Sequence, residues 1–144
     1  MKYTTELMID LPRDRVAELF DDPDNLAKWQ VGLQSMETIE GEPGDDGAKS
    51  RLVYDENGRS VEMVETIIRR AMPEEFSAIY EAKNVRNVNV NRFYETEDGR
   101  TRWVQENEFK LRGLMVLMGI FMPGAFSKQT LKDMNRFKEF AEGA

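Results

Sequence analysis

The chain has 144 residues, of which 40% are hydrophobic and 33% are charged, and its formal net charge is −7. This composition is typical of one globular domain, and the acidic balance disfavours nucleic acid or an anionic membrane as a partner. The absence of cysteine and histidine excludes disulfides, thiolate chemistry, histidine-dependent triads and the common zinc sites. We therefore expect a single domain over residues 1–144 with no metal and no cofactor.

The chain begins with alternating polar and apolar residues, unlike the continuous apolar core of a secretory signal. No uncharged run reaches the roughly 18 residues that a membrane-spanning helix needs. We predict a cytoplasmic protein without stable membrane insertion.

The first third of the chain predicts a strand, two short helices and a second strand. Residues 3–11 alternate in polarity, which indicates a strand with one buried face. Pro12 then opens a short helix, since proline is tolerated in the first turn, and a second helical turn follows from Pro23. Residues 33–40 form the next strand, and a loop rich in glycine follows it.

Tight turns predict which side chains share a face in the following hairpins. Asn57-Gly58 is typical of a two-residue turn, so Tyr54 should pair with Val61 and Ser50 with Glu65, all pointing inward. After the turn at residues 72–75, a pairing of Ala71 with Phe76 would set Ile67 opposite Tyr80. The inward side chains of this next strand are then Phe76, Ala78 and Tyr80.

Asp98-Gly99 predicts a second tight turn, with Glu97 paired to Arg100. The pairs that follow are Tyr94 with Trp103, Arg92 with Gln105, Val90 with Asn107 and Val88 with Phe109. This register turns the valines of residues 87–91 inward and the asparagines outward, whereas a turn of odd length would reverse both faces.

The C-terminal region predicts a long helix in two segments. Residues 113–126 carry no charge and are rich in methionine, whereas residues 126–141 repeat apolar positions at steps of three and four. Pro123 should interrupt the helix, so the two segments are expected to meet near residues 122–124.

The order of elements, and four segments of sequence, resemble the START-related (SRPBCC) superfamily of polyketide cyclase-like and lipid-transfer proteins. The segments are IDLPRDRVAELFDDPDNLAKWQ, GEPGDDGAKSRL, ETIIRRAMPEEFSAIYEA and RTRWVQENEFKL. The resemblance covers essentially the whole chain. It implies an α+β helix-grip fold, in which a curved seven-stranded antiparallel sheet wraps around a long C-terminal helix. It carries over no catalytic residue, because the superfamily shares no universal catalytic motif.

The predicted interior contains more polar groups than a plain core needs, and Glu65 and Arg92 could neutralise each other. These groups could orient the carboxylate, carbonyl or hydroxyl of a ligand, while aromatic and methionine side chains hold its apolar body. The candidate ligand-binding residues are Tyr54, Met63, Glu65, Tyr80, Arg92, Tyr94, Trp103, Gln105, Asn107, Met115, Met118, Met122 and Phe126. A structural network, or a register that leaves a polar group in solvent, is the alternative. The methionines could instead fill the core or form a dimer or membrane-touching surface.

Three functions fit this sequence. The first is binding or carrying a hydrophobic small molecule of lipid, polyketide, isoprenoid or aromatic type. The second is a cyclase or dehydratase, with Glu65 as acid or base and Arg92 or Tyr94 stabilising an oxyanion. The third is an interaction module, such as a homodimer, without a small ligand.

Overall fold

The computed structural model describes all 144 residues and has seven β-strands and four α-helices. The strands are β1 (Lys2–Ile9), β2 (Leu33–Glu40), β3 (Lys49–Glu56), β4 (Arg59–Ala71), β5 (Glu75–Ala82), β6 (Val85–Glu95) and β7 (Thr101–Leu111). The helices are α1 (Arg13–Asp21), α2 (Leu26–Trp29), α3 (Met115–Phe121) and α4 (Ala125–Glu142), and a 3-10 turn (Pro23–Asn25) precedes α2. The predicted order of elements is confirmed.

All seven strands form one antiparallel sheet in the order β1-β7-β6-β5-β4-β3-β2. The N-terminal strand pairs with the last one, so the chain returns to its start before α3 and α4 begin. The sheet curves around α4, which packs mainly against β1 and α2. This is the predicted α+β helix-grip arrangement. We call the face toward α4 the inner face.

The hydrophobic core fills one end of the space between sheet and helix, near the turn between β6 and β7. Its buried members are Ile9, Val16, Leu19, Trp29, Phe93, Trp103, Met134, Phe137 and Ala141. The ring of Phe20 contacts the rings of five other aromatic residues there, at centroid separations of 5.2–6.0 Å. Because aromatic side chains bury large areas, this cluster closes that end of the interior.

The register of the β3–β4 hairpin is confirmed, with Tyr54 opposite Val61 and Ser50 opposite Glu65. The predicted pairing between β4 and β5 is wrong, because Ile67 lies opposite Ala78 instead of Tyr80. The turn is tighter than expected, and a bulge between Ile67 and Arg69 inserts an extra residue into β4. Tyr80 therefore pairs with Glu65.

The predicted register of β6 and β7 is also wrong. Glu95 pairs with Thr101, so five residues instead of two connect the strands. Thr96 stabilises this longer loop, since its backbone N–H donates to the Arg100 carbonyl and its hydroxyl donates to Asp98. The odd loop length shifts the pairing by one residue, so Asn87, Asn89 and Asn91 lie on the inner face and Val88 and Val90 on the outer face.

The apolar C-terminal segment divides as predicted, since α3 ends at Phe121 and α4 begins at Ala125. Pro123 lies in the break. Proline has no backbone N–H, so a continuous helix would lose a hydrogen bond at this position. No helix in the structure is both long and apolar enough to cross a membrane.

Candidate ligand-binding site

Four side-chain amides of β6 and β7 form a closed ring of hydrogen bonds on the inner face. Gln105 Nε2 donates to Asn91 Oδ1 (2.8 Å), and Asn91 Nδ2 donates to Asn89 Oδ1 (2.7 Å). Asn89 Nδ2 donates to Asn107 Oδ1 (2.8 Å), and Asn107 Nδ2 donates back to Gln105 Oε1 (3.0 Å). We call these four residues the amide ring. An amide suits each position because it carries both a donor and an acceptor.

The amide ring follows from the observed strand register, which sets Asn91 opposite Gln105 and Asn89 opposite Asn107. Residues on alternate positions of one strand share a face, so the four amides meet as two adjacent cross-strand pairs. Three of them are buried, and Asn91 is only 2% exposed. The ring thus satisfies polar groups that would otherwise lose hydrogen bonds on leaving water.

Two further side chains donate to the ring from its margins. The indole Nε1 of Trp103 donates to Asn91 Oδ1 (3.0 Å), and Asn87 Nδ2 donates to Asn107 Oδ1 (3.0 Å). Both of these oxygens therefore accept two hydrogen bonds.

The amide ring retains hydrogen-bonding capacity for another molecule. Each amide nitrogen carries two hydrogens, and those of Asn89, Gln105 and Asn107 each donate only one bond. The oxygens of Asn89 and Gln105 each accept one bond, although a carbonyl can accept two. Gln105 is half-buried, so the ring is not sealed from solvent on every side. A hydroxyl or carbonyl group could bond to this unused capacity.

Glu65 provides a buried carboxyl group on the same face. It is 6% exposed, and Tyr80 Oη donates to its Oε2 at 2.8 Å. Burial raises the pKa of Glu65, because a charged carboxylate is disfavoured away from water. The hydrogen bond from Tyr80 opposes this effect only partly, and no lysine or arginine forms an ion pair with the carboxyl group. Burial and the nearby Glu65 charge raise the pKa of Tyr80 well above its ordinary value, which keeps its hydroxyl protonated. The predicted pairing of Glu65 with Arg92 is wrong.

Tyr54 and Asp133 add polar groups between sheet and helix. Tyr54 Oη donates to Gln30 Oε1 at 2.5 Å, and its pKa is raised by burial and by the charges of Glu65 and Asp133. Asp133 lies on α4, where its side chain is 50% exposed, accepts from Gln129 Nε2 and forms an ion pair with Arg136 at 3.2 Å. Burial raises the pKa of Asp133 as well. Unlike Glu65, this acid of α4 is therefore half-exposed and has a cationic partner.

Two predicted site residues, Arg92 and Tyr94, lie on the outer face. Arg92 forms ion pairs with Glu106 (2.6 Å) and Glu75 (3.5 Å), and Tyr94 is 40% exposed beneath the guanidinium of Arg102. The register shift of β6 is the reason, since it reverses the face of every residue in the strand. Neither side chain can stabilise a ligand bound beside Glu65 on the inner face.

The remaining candidates divide between the inner face and the C-terminal segment. The inward residues are Tyr54, Met63, Glu65, Tyr80, Trp103, Gln105 and Asn107. Phe126 packs on the ring of Phe109 at a centroid separation of 4.9 Å, and its carbonyl accepts from Tyr3 Oη. Met115 is half-buried, whereas Met118 and Met122 are exposed. The methionines are therefore less enclosed than a cavity wall would be.

Sequence reasoning missed Asn87, Asn89, Asn91 and Asp133. Three asparagines at alternate positions of one strand are themselves a signal, because strands disfavour asparagine unless its side chain finds partners. Opposite them, Gln105 and Asn107 show the same alternation on β7. Matching these two series would have predicted the observed register.

The curved sheet, the long helix across it and the polar inner face define a helix-grip protein. The sequence profile of the family described as "Polyketide cyclase / dehydrase and lipid transport" matches residues 1–139. The chain belongs to this family. No curated protein shows a significant match to the sequence.

Several solved structures share the fold at low sequence identity. A conserved protein from Geobacillus kaustophilus is 16% identical with a TM-score of 0.82, covering 99% of this chain and 96% of its own. The Zhui aromatase/cyclase from Streptomyces sp. R1128 is 16% identical with a TM-score of 0.78, covering 99% and 93%. Ara h 8.0201 is 14% identical with a TM-score of 0.77, covering 100% and 99%. At this identity the similarity establishes the fold alone.

Proposed function

We propose that the protein binds a hydrophobic small molecule between the inner face and α4, and that the ligand carries uncharged hydroxyl or carbonyl groups. The observation that supports this proposal is the amide ring, which lies on the inner face and has N–H groups and lone pairs without a partner. Of the ligand types predicted from sequence, oxygenated aromatic or polyketide-like molecules fit this pattern better than plain hydrocarbons.

The charges of the interior argue against a carboxylate ligand. Glu65 is the buried acid there, and no lysine or arginine bonds to it or to the amide ring. With Arg92 on the outer face, a carboxylate bound at the amide ring would be buried without a neutralising partner, which costs several kcal/mol. A neutral group avoids this cost.

Two naphthalene compounds of similar size test the proposed preference. We expect 2-naphthol to bind and to perturb the tryptophan fluorescence of the protein, and 2-naphthoate to bind more weakly at neutral pH. Replacing Gln105 with methionine removes an amide while keeping the length of the side chain, so the affinity for 2-naphthol should fall by up to about tenfold, the value of one hydrogen bond.

Arg92→Met is the matched control, because it makes a similar replacement on the outer face and should leave the affinity unchanged. Tighter binding of 2-naphthoate, or equal effects of the two substitutions, would contradict the proposal. Native mass spectrometry of protein from its own host, followed by extraction, would identify the natural ligand.

A second candidate function is proton transfer to the bound molecule. The supporting observation is Glu65, whose raised pKa brings the carboxyl group closer to the range useful for acid–base chemistry. The amide ring, instead of Arg92 or Tyr94, would then donate hydrogen bonds to a developing oxyanion. With the natural ligand in hand, Glu65→Gln separates the two functions, because an enzyme should lose turnover while keeping affinity, and a carrier should show no turnover in either form.

A further inference from the structure

Helix α3 exposes an apolar surface that the rest of the fold leaves uncovered. Its sequence, MVLMGIF, has no polar side chain, and none of its residues is buried. Residues 114–122 supply seven of the fourteen large hydrophobic residues that are exposed in the whole chain. Leu114 is 81% exposed and Phe121 is 76% exposed. Such a concentration of apolar area on one short segment is typical of an interaction surface.

The charges around α3 have the opposite sign to the protein as a whole. Residues 109–132 contain Lys110, Arg112, Lys128 and Lys132 and no carboxylate, although the net charge of the chain is −7. None of these four cations forms an ion pair in the structure, where most of the other arginines are paired with carboxylates. The total charge of the protein disfavours an anionic surface, whereas the local charge around α3 favours one.

The adjacent β5–β6 turn extends this cationic border. The backbone N–H of Arg112 donates to the carbonyl of Asn84 at 2.9 Å, which holds the turn containing Lys83 beside the start of α3. Arg86 lies directly opposite Lys110 on β7, and it too has no ion-pair partner. The cationic border of α3 thus consists of six residues that flank it in the sequence or in the strand register, and they are Lys83, Arg86, Lys110, Arg112, Lys128 and Lys132. One carboxylate, that of Glu81 on β5, lies opposite Arg86.

We propose that α3 and its cationic border dock the protein on an anionic lipid surface, with the apolar side chains of α3 entering the headgroup region. The exposed side chains of α3 are all apolar, so they can leave water by entering the headgroup region while the bordering cations stay at its surface. The bordering lysines and arginines would contact lipid phosphates, each contributing electrostatic attraction. This contact is peripheral, since α3 has seven residues and cannot span a bilayer.

Charge also argues against a second copy of the chain as the occupant. In a symmetric dimer the same surface meets itself, so the cations around one α3 would face those around the other. An anionic lipid surface satisfies both the apolar side chains and the cations.

The test is flotation of the full-length protein with two kinds of vesicle, one of phosphatidylcholine alone and one mixed with phosphatidylglycerol. We expect binding only to the mixed vesicles, and binding that weakens with added salt. Removing cations by Lys110→Gln and Arg112→Gln should reduce the affinity about fivefold for each charge. Arg59→Gln, at an exposed and unpaired arginine in the β3–β4 hairpin, is the matched control and should bind normally.

The apolar contribution is tested by Leu117→Asp with Phe121→Asp, which should abolish flotation while the unfolding midpoint stays unchanged. Val31→Asp controls for added charge at an exposed apolar residue outside this surface. Absence of binding to the mixed vesicles, or equal binding to both kinds, would overturn the proposal. A dimer that the Leu117 and Phe121 substitutions dissociate, in the absence of vesicle binding, would overturn it as well.

Discussion

Replacing Asn91 with leucine removes one of the four members of the amide ring, and with it two of the four hydrogen bonds, while keeping a side chain of similar size. The change leaves the indole N–H of Trp103 and the amide oxygen of Asn89 without their partners. Each buried group that loses its hydrogen bond costs about 1–3 kcal/mol, so we expect a loss of about 2–6 kcal/mol of stability. That is a large fraction of the roughly 5–15 kcal/mol that stabilises a typical domain. Gln105 also loses an acceptor, but it is half-buried and can turn toward water.

Urea unfolding followed by tryptophan fluorescence measures this loss as a lower midpoint at an unchanged slope. Asn135→Leu makes the same substitution at an exposed position of α4 and should change stability by less than about 0.5 kcal/mol. A loss of stability for Asn91→Leu as small as that for Asn135→Leu would refute a connected network. It would show instead that water satisfies each asparagine separately.

Three further predictions concern Glu65, Gly32 and Pro123. The raised pKa of Glu65 means that the folded chain keeps a proton that the unfolded chain releases, so stability falls as pH rises from the ordinary glutamate value through the higher folded pKa. Glu65→Gln cannot titrate, and in thermal unfolding across pH its stability relative to the natural protein should therefore increase toward neutral pH. Gly32→Ala should destabilise the protein far more than Gly58→Ala in urea unfolding, because both residues have positive φ but only at Gly32 would a Cβ collide with the Asp55 carbonyl. Pro123→Ala should change the rate of ligand exchange more than the affinity in stopped-flow fluorescence, because the break between α3 and α4 would become easier to straighten.

Each of these predictions has an outcome that contradicts it. A constant difference between Glu65→Gln and the natural protein at every pH would show that the carboxyl group has its ordinary pKa. Equal losses for the two glycine variants would show that the carbonyl can move aside at no cost. Identical exchange rates with and without Pro123 would remove any gating role of the break.

Local signals in the sequence were sufficient for the elements, and the family resemblance supplied their arrangement. Alternating strands, the Asn57-Gly58 turn and the helical periodicity of residues 126–141 each predicted an element that the structure contains. The break near Pro123 was predictable for the same reason, since proline affects the backbone of its own turn.

The candidate site was less predictable because it depends on strand register. Asp98-Gly99 resembles a two-residue turn, but Thr96 and Arg100 exchange hydrogen bonds across a five-residue loop instead. The resulting shift of one residue in the strand pairing places Asn91 on the inner face and Arg92 on the outer face, the reverse of the prediction. Glu65, Gln105 and Asn107 were placed correctly because the β3–β4 turn and the face of β7 did not depend on that error.

The hydrogen bond from Trp103 determines the direction in which the hydrogen bonds of the amide ring run. A ring of four amides can run in either of two senses, which differ by a flip of every member. An indole nitrogen can only donate, so Trp103 requires the oxygen of Asn91 on its side and thereby selects one sense. The selected sense determines where the amides present nitrogen and where they present oxygen. A buried aromatic residue of the core thus sets the polarity that the proposed ligand would meet.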